Sequence, residues 1–292
     1  MKILVFGGTR FFGKQLVEAL IDAEHDVTIA TRGKQEHPFG DKVRTVVLNR
    51  TLRDDVFRIA NEKWDVVYDN ICYSPQEASY AVSAFKDKVK RYIFTSSKAV
   101  YRNKDRELTE SDFEPSTYEI IHGSKDDFDY GEGKRLAEAV FFQKATFPVV
   151  AVRFPIVLGE ADYTERLEFH IEHIRRGKEI AITHEHAATD FILDQEAARF
   201  LKWVGTETDV TGPINASSDG SYTLQKIIEI IESKVARKCK LEFIADQEDN
   251  SPFDIPGTNT LNTAKAKEAG FEFENLEDWF PKLVDTLIQS GK

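Results

Sequence analysis

The sequence contains few of the residues that would mark a secreted, metal-binding or membrane protein. Cysteine occurs only twice in 292 residues, and Cys72 and Cys239 lie far apart in strand-like surroundings. This spacing favours neither a disulfide framework nor a zinc site. No stretch approaches the roughly 18 consecutive apolar residues that a membrane helix needs. Met1 leads directly into a short strand-like segment, and we therefore expect a cytoplasmic protein without a metal site or a membrane contact.

Positive charge is scarce relative to negative charge. The 39 lysines and arginines are outnumbered by 50 aspartates and glutamates, which gives a formal net charge of −11. A surface with this balance repels phosphate backbones, which disfavours nucleic acid as a partner. The hydrophobic content of 41% is sufficient for a large core.

Short β-branched segments alternate with amphipathic helical patterns over the first half of the chain. Strands are predicted at residues 2–6, 27–31, 43–48, 65–69, 91–96 and 149–154. Segments with apolar residues at helical spacing lie between them, at residues 12–23, 76–85 and 134–145. Apolar strands separated by helices are typical of a parallel sheet covered on both faces. The sequence therefore predicts an α/β fold with a Rossmann-type, doubly wound parallel sheet.

The pattern changes after Gly159 to helix-rich segments broken by short strands. Helices are predicted at residues 164–176, 194–204, 224–235 and 276–289, and a long loop is predicted at residues 246–263. We expect a dinucleotide-binding Rossmann domain from residues 1–155 and 187–209. A small α/β substrate-binding lobe is expected from residues 156–186 and 210–292, with the substrate in the cleft between the two.

A glycine-rich turn follows the first predicted strand and precedes the first helix. In such a turn Gly7 permits a tight bend, and Gly13 lets the helix pack close to the strand. The backbone amides at the helix N-terminus are then free to bind a pyrophosphate. We expect the dinucleotide to contact this segment at Gly7, Thr9, Arg10, Phe11, Phe12 and Gly13.

The end of the second strand lacks the acidic residue that would bind a ribose 2′-hydroxyl. Arg32 and Lys34 stand there instead, and Arg10 occupies the turn, so that up to three cations could surround a 2′-phosphate. The sequence therefore favours NADP over NAD as the cofactor. The alternative is that Arg32 and Lys34 form an ordinary solvated loop.

Tyr130 and Lys134 are separated by four residues at the start of a helical pattern, which places both on one helix face. An ammonium group and a nicotinamide cation near a phenol favour its phenolate form, which can act as a base. Upstream, residues 95–97 end the fifth strand with three hydroxyl side chains. Ligands of open α/β sheets bind at this carboxyl edge.

Together these segments resemble the extended short-chain dehydrogenase/reductase family, in its NAD-dependent epimerase/dehydratase branch. The motifs are the glycine turn, Ser-Ser-x-Ala-Val-Tyr ending at Tyr101, the Tyr-x-x-x-Lys pair, and Asp-Phe-Ile-Leu-Asp at residues 190–194. The resemblance implies that Tyr130 is the general acid/base and that Ser97 hydrogen-bonds the reacting oxygen. It implies that Lys134 binds the nicotinamide ribose and lowers the tyrosine pKa. It also implies a homodimer built through helices 76–85 and 131–145.

Several positions depart from the family pattern. Asn49 stands where the family has an aspartate after the third strand, and could still hydrogen-bond adenine. Lys98 replaces the first acid of the dehydratase pair, which disfavours elimination chemistry. Ile156, Thr189 and the arginine-free segment 251–253 replace the groups that hold a diphosphate in nucleotide-sugar members.

We therefore expect an NAD(P)-dependent oxidoreductase or epimerase that acts on a hydroxyl or carbonyl of a small or sugar-like substrate. The Gly-Gly-Thr-Arg-Phe turn also resembles a divergent subgroup that includes chloroplast stem-loop-binding proteins. The alternative is a dinucleotide-binding scaffold without turnover that serves as an RNA- or protein-binding regulatory protein. The presence of Ser97, Tyr130 and Lys134 favours the enzyme, and the acidic balance disfavours RNA.

Overall fold

The computed structural model describes residues 1–34, 36–243 and 249–291. The strands are β1 (Lys2–Phe6), β2 (Asp26–Thr31), β3 (Arg44–Val47), β4 (Trp64–Asp69), β5 (Val89–Ser97), β6 (Arg106–Leu108), β7 (Val149–Phe154), β8 (Ile156–Leu158), β9 (Glu179–Ala181), β10 (Ala188–Thr189), β11 (Phe191–Leu193), β12 (Gly212–Asn215), β13 (Tyr222–Thr223), β14 (Lys240–Glu242) and β15 (Asn259–Leu261). The α-helices are α1 (Phe11–Asp22), α2 (Arg53–Ile59), α3 (Pro75–Ala84), α4 (Tyr130–Lys144), α5 (Arg166–Arg176), α6 (Asp194–Thr206), α7 (Leu224–Val235), α8 (Ala264–Glu268) and α9 (Leu276–Ser290). No helix within the described ranges is both long enough and apolar enough to cross a bilayer.

Seven strands form one parallel sheet in the order β12-β7-β5-β4-β1-β2-β3. Successive side chains of a strand point to opposite faces of the sheet, so β1 contributes to two cores. Ile3 and Val5 pack with α1 and α6 on one face. Leu4 and Phe6 pack with α3 and α4 on the other face. A parallel sheet covered by helices on both faces confirms the predicted α/β, Rossmann-type fold.

Helix α4 begins at Tyr130, where the sequence places the start of a helical pattern, and one turn before the apolar stripe at residues 134–145. Asp129 explains this start, because its side chain accepts a hydrogen bond of 2.8 Å from the backbone amide of Glu132 and caps the helix. The two glycines of this first turn weaken the helical signal in the sequence. As a result Tyr130 is the first residue of the helix and Lys134 lies one turn further along.

The seventh strand of the large sheet comes from a segment that the sequence assigned to the smaller lobe. Strand β12 pairs in parallel with β7, and Ile214 lies opposite Val152. Residues 210–292 therefore do not all belong to the smaller lobe, because pairing along an exposed edge of the sheet recruits residues 212–215. The remaining domain boundaries stay a prediction.

The remaining strands form smaller sheets beside the carboxyl edge of the large one. One has the order β13-β10-β15-β6, and the other two are the pairs β11-β8 and β14-β9. A separate core joins helices α5, α7 and α9 around Phe191 and Phe280. Strand β15 lies inside the predicted loop 246–263, of which residues 246–248 are outside the described part of the chain.

The helices expected to form a dimer interface bury large rings within one protomer. Phe85, directly after α3, and Phe141 of α4 are at most 1% exposed and belong to the core on the sheet. Tyr80 and Phe142 are partly buried against the same core. Phe85 and Phe141 therefore give no support to a second-copy interface, and the homodimer stays a prediction.

A fully buried ion pair joins α4 to the sheet. Arg153 Nη2 of β7 donates to Glu138 Oε2 of α4 at 2.6 Å, and both side chains are 0% exposed. Ser96 Oγ also donates to the Glu138 carboxylate at 2.5 Å. The guanidinium further donates to Tyr101 Oη at 2.8 Å and to the Phe113 carbonyl at 3.1 Å. These hydrogen bonds satisfy both charges in a region from which water is excluded.

We predict that Arg153→Met lowers the free energy of unfolding by about 3–5 kcal/mol, because it leaves Glu138 buried without its counter-charge. Urea denaturation at neutral pH measures this loss. The matched control is Arg176→Met, which removes a 65% exposed partner of Glu172. The control substitution should lower the free energy of unfolding by less than about 1 kcal/mol. Equal effects of the two substitutions would contradict the prediction.

Candidate functional site

The glycine turn between β1 and α1 has a shape that only glycine permits. Gly7 has a φ angle of +77°, and a Cβ there would lie 2.7 Å from Ile71 Cγ2. A Cβ on Gly13 would lie 2.1 Å from the carbonyl oxygen of Gly7. The first turn of α1 therefore lies directly against the backbone of the glycine turn. The resulting concave backbone at a helix N-terminus fits a pyrophosphate.

Residue 10, in the middle of the glycine turn, can be an arginine because its backbone is not left-handed. Arg10 has extended backbone angles, with φ −139°, whereas the left-handed conformation occurs at Phe11, with φ 50°. The Phe11 ring packs against Tyr163 with a centroid distance of 6.2 Å, and the Arg10 guanidinium lies 5.9 Å from the Tyr163 centroid. These contacts connect the turn to residues 159–165.

The predicted cofactor residues beyond the turn lie at the same edge of the sheet. Strands β1, β2 and β3 are parallel neighbours, with Phe6 opposite Ala30 and Thr31 opposite Val47. Arg32 is exposed directly after β2. Asn49 follows β3, where its Oδ1 accepts hydrogen bonds from the amide and hydroxyl of Thr51 at 3.1 and 2.9 Å. The turn holds the Asn49 carboxamide in place.

A cavity of about 210 Å³ brings together the three predicted catalytic residues. Ser97 ends β5, Tyr130 begins α4, and Lys134 lies one turn later on that helix. Phe11 and Phe12 of the glycine turn line the same cavity. The cavity is therefore shared by the candidate dinucleotide site and the candidate reacting groups. Tyr130 is 54% exposed, so its phenol is accessible to a ligand.

Lys134 provides a fixed positive charge on the cavity wall. Its side chain is 1% exposed, and Nζ donates to the carbonyls of Cys72 and Thr95 at 2.7 and 2.8 Å. Nζ lies 4.5 Å from the ring centroid of Tyr73 and 5.8 Å from that of Tyr130. An ammonium group has three protons, so two carbonyl acceptors leave one for another partner.

Ser97 is oriented by a local backbone contact. Its Oγ accepts a 3.1 Å hydrogen bond from the amide of Ala99 and caps the 3₁₀ helix Lys98–Val100. The hydroxyl proton is then available to donate to a substrate oxygen. Lys98 itself bonds to Asp190 Oδ1 at 2.5 Å and to the Asn259 carbonyl at 2.8 Å. Its ammonium therefore ties the end of β5 to the small sheet.

The cavity also contains residues that the predictions of catalytic and cofactor-binding residues did not include. Asn70 and Tyr73 follow β4, and the rule that ligands bind at the carboxyl edge of a parallel sheet could have identified Asn70. Asp162, Tyr163 and Arg166 come from the segment that follows the sheet. No spacing motif indicates these three, because tertiary packing alone brings them to the cavity.

Asp194 is a buried acid beside Gly159 that forms no ion pair in the described part of the chain. The Gln15 amide donates to Asp194 Oδ2 at 2.7 Å, and a Cβ on Gly159 would lie 2.2 Å from Asp194 Cγ. Burial raises the pKa of the Asp194 carboxyl to about 6, against the hydrogen bonds from Gln195 and Gln15. The negative charges of Glu160 and Asp162 raise it further.

Comparison with protein families gives one match over most of the chain. The model of the NAD dependent epimerase/dehydratase family matches residues 3–216. This range includes the glycine turn, the Ser97 segment and the Tyr130–Lys134 pair.

Two curated proteins are similar to part of the chain. The chloroplast stem-loop binding protein of 41 kDa b from Arabidopsis thaliana is 32% identical over 118 residues, which is 36% of this chain and 31% of that protein. The 2′-dehydrokanamycin reductase of Streptomyces kanamyceticus is 36% identical over 98 residues, 33% of this chain and 28% of that protein. The chain thus matches less than a third of each relative's length.

Solved structures resemble the whole chain in fold. The UDP-glucose 4-epimerase of Thermotoga maritima, determined with UDP-glucose, has a TM-score of 0.75 at 17% identity. The UDP-glucuronic acid 4-epimerase of Bacillus cereus, determined with NAD, has a TM-score of 0.75 at 19% identity. Both alignments cover 100% of this chain and 100% of the other.

We predict that Asp194→Asn stabilises the protein at neutral pH. The folded-state pKa of about 6 exceeds the ordinary aspartate pKa of 3.8, so wild-type stability is full below about pH 4 and falls as the pH rises to about 6. Asparagine resembles the protonated acid, and the gain should approach about 3 kcal/mol above pH 7.

Urea denaturation of the Asp194→Asn protein at about pH 4 and about pH 8 measures this effect. Asp54→Asn is the control, since that side chain is 97% exposed. A stability difference for Asp194→Asn that does not change with pH would contradict the shift.

Proposed function

Because the chain belongs to the NAD dependent epimerase/dehydratase family, enzymes of the extended short-chain dehydrogenase/reductase type, we propose that it oxidises or reduces a sugar-like substrate through Ser97, Tyr130 and Lys134. Family membership confirms the resemblance that the motifs indicated. The observation that carries the proposal is the cavity of about 210 Å³, which these three side chains line together with the glycine turn.

The residues present fit a dinucleotide. The glycine turn leaves a hollow that any Cβ at Gly7 or Gly13 would fill, and it lies at a helix N-terminus. The turn would hold the pyrophosphate, with Arg32 and Asn49 at the adenosine end and Lys134 at the nicotinamide ribose. A bound nicotinamide supplies the hydride acceptor or donor for the reaction.

Each of the three side chains has a separate role in the proposed reaction. Tyr130 exchanges a proton with the substrate hydroxyl or carbonyl, and its exposed phenol leaves room for that contact. Lys134 would bind the nicotinamide ribose, and its ammonium lies 5.8 Å from the ring centroid of Tyr130. Ser97 donates its hydroxyl proton to the same substrate oxygen, because its Oγ already accepts from Ala99.

We propose NADP as the preferred cofactor. Arg32 stands exposed at the end of β2, where an acidic side chain would repel a 2′-phosphate and bind ribose hydroxyls instead. A guanidinium forms bidentate hydrogen bonds with phosphate oxygens. The solved structure of the Bacillus cereus epimerase contains NAD, which makes Arg32 the decisive residue to test.

The comparisons support a sugar-like substrate. The structural neighbours named above act on UDP-glucose and UDP-glucuronic acid, and one partial relative is a reductase of 2′-dehydrokanamycin. These names share a sugar ring with an oxidisable hydroxyl. Reduction requires a proton for the oxygen that gains charge when hydride adds to the carbonyl, and epimerisation by oxidation and re-reduction requires a proton to leave and then return to the hydroxyl oxygen. The proton exchange proposed for Tyr130 serves either outcome.

A binding protein without turnover is the second candidate. It is favoured by the 32% identity of 118 residues to a chloroplast stem-loop binding protein. The net charge of −11 opposes an RNA partner. A screen of carbonyl compounds and sugar nucleotides with NADPH and NADH separates the two candidates, since a scaffold oxidises neither cofactor.

We predict that Tyr130→Phe lowers kcat by about 10²-fold or more on any substrate found in that screen, because it removes the proton carrier. Cofactor affinity should change little, since the lysine and the glycine turn remain. Tyr80→Phe, in α3 and outside the cavity, is the control and should keep full activity. Wild-type turnover by Tyr130→Phe would disprove the catalytic assignment.

We predict that Arg32→Ala weakens NADPH binding by about tenfold or more and leaves NADH binding nearly unchanged, because the loss concerns only the 2′-phosphate. Titration of cofactor fluorescence measures both affinities. Arg176→Ala removes an exposed arginine elsewhere and controls for net charge. Tighter binding of NADH than NADPH by the wild type would overturn the NADP preference.

A further inference from the structure

Tyr73, which follows β4, is a second phenol in the cavity that contains Tyr130. Its side chain is half-buried and lines the cavity of about 210 Å³ together with Ser97 and Tyr130. The ring centroids of Tyr73 and Tyr130 are 6.3 Å apart. The two rings are therefore neighbours in one cavity, and the reaction proposed above uses only Tyr130.

The Tyr73 hydroxyl has no partner in the part of the chain that the structure describes. The hydroxyl of Tyr68 is also without a hydrogen bond, but it is closed to solvent, whereas that of Tyr73 is not. A phenolic hydroxyl can donate one hydrogen bond and accept others. The hydroxyl of Tyr73 is therefore free to contact a molecule that enters the cavity.

The backbone of Tyr73 is fixed on both sides of the residue. Its amide donates to Glu77 Oε2 at 2.6 Å. A Cβ on Gly133 would lie 2.4 Å from the Tyr73 carbonyl oxygen, so α4 packs directly against residue 73. This contact explains why a glycine, which weakens a helix, stands inside α4. A fixed backbone limits the positions that the phenol can take.

Two ammonium groups lie over the Tyr73 ring. Lys134 Nζ is 4.5 Å from the ring centroid, and Lys125 Nζ is 5.1 Å from it. The attraction between a cation and an aromatic face restrains the ring. The same contacts cover part of the ring surface. The hydroxyl is therefore the group of Tyr73 that is best placed to contact a ligand.

Tyr73 is suited to donate a hydrogen bond and not to act as a base. Burial raises the pKa of its phenol, and the phenols of Tyr130 and Tyr163 raise it further. The hydroxyl therefore keeps its proton at neutral pH. Proton exchange remains the role of Tyr130, whose side chain is 54% exposed.

We propose that Tyr73 is a specificity-determining residue whose hydroxyl donates a hydrogen bond to a second oxygen of the substrate. This oxygen lies next to the one that Tyr130 and Ser97 contact, so the enzyme prefers substrates with oxygens on two neighbouring carbons, as in a sugar ring. The inference rests on the proposed function, because it takes Tyr130 and Ser97 as the contacts of the reacting oxygen.

The physical basis of this preference is the cost of an unpaired donor. A site built to hydrogen-bond a ligand hydroxyl discriminates against an analogue that lacks it, because the protein group then loses its partner. A ligand with one oxygen satisfies Tyr130 and Ser97 alone. A ligand with two neighbouring oxygens satisfies Tyr73 as well.

The test compares two probes that differ by one hydroxyl, cyclohexanol and trans-cyclohexane-1,2-diol. Their affinities are measured by saturation-transfer NMR titration on the full-length protein, with and without saturating NADPH, which cannot react with an alcohol. We expect the wild type to bind the diol at least about fivefold more tightly than cyclohexanol.

The variant Tyr73→Phe provides the decisive comparison, since it keeps the ring under both ammonium groups and removes only the hydroxyl. We expect its diol affinity to fall to the level of cyclohexanol and its cyclohexanol affinity to stay unchanged. A merely structural role would weaken both probes equally. Tyr80→Phe, in α3 and outside the cavity, is the matched control and should keep the wild-type preference.

Three results would overturn the proposal. They are equal binding of the two probes by the wild type, binding of neither probe, and an unchanged preference for the diol in Tyr73→Phe. Thermal unfolding of the variant shows whether the fold is retained.

The same titration with Tyr130→Phe separates this proposal from the catalytic assignment. We expect that variant to bind both probes more weakly and to keep the preference for the diol. Loss of the preference in Tyr130→Phe would assign the second contact to Tyr130 and not to Tyr73. Because the titration measures no turnover, a failure of the proton exchange proposed for Tyr130 leaves its result unaffected.

Discussion

The buried ion pair between Arg153 and Glu138 fixes the position of helix α4, and the candidate site depends on that position. Tyr130, Lys134 and Glu138 are spaced four residues apart and share one face of α4. Glu138 bonds to the sheet through Arg153 and Ser96, and Ser96 directly precedes Ser97. One buried contact therefore sets the helix and the end of β5 relative to each other. A buried charge pair permits no other position of α4 along the sheet, because any shift of the helix would leave a charge buried without its partner.

Local sequence signals were sufficient to predict most strands of the large sheet and, at the candidate site, the glycine turn and the Tyr130–Lys134 pair. Apolar strands, the glycine turn and the spacing of Tyr130 and Lys134 depend on neighbours within a few residues, so a single sequence contains them. The shared sheet edge follows from parallel topology, which places the ends of β1, β2 and β5 together. Topology brings residues 95–97 to this edge, and the family resemblance, not a local signal, distinguished Ser97 from Ser96.

The features that the sequence did not predict depend on contacts between segments that are far apart in the chain. Lys98 lies 92 residues from Asp190, and no pattern in either segment indicates their 2.5 Å contact. Strand β12 was assigned to the smaller lobe because it follows the change of pattern after Gly159, yet the open edge of β7 recruits its residues. Asp162 gives no sequence signal, since its unpartnered oxygen is a property of the folded loop.

The charged side chains at the candidate site differ in the groups that they contact. In the described part of the chain, Lys134 donates to backbone carbonyls and forms no ion pair with a carboxylate, so no counter-ion cancels its positive charge. Among the described residues, Asp162 and Asp194 accept hydrogen bonds from polar partners and form no ion pair. Burial raises the pKa of Asp194, and the negative charges of Glu160 and Asp162 raise it further. Among the described residues that line the cavity, Lys134 and Arg166 are cationic and Asp162 is acidic. A polar ligand in the cavity would therefore meet charges of both signs, and not a single acidic wall.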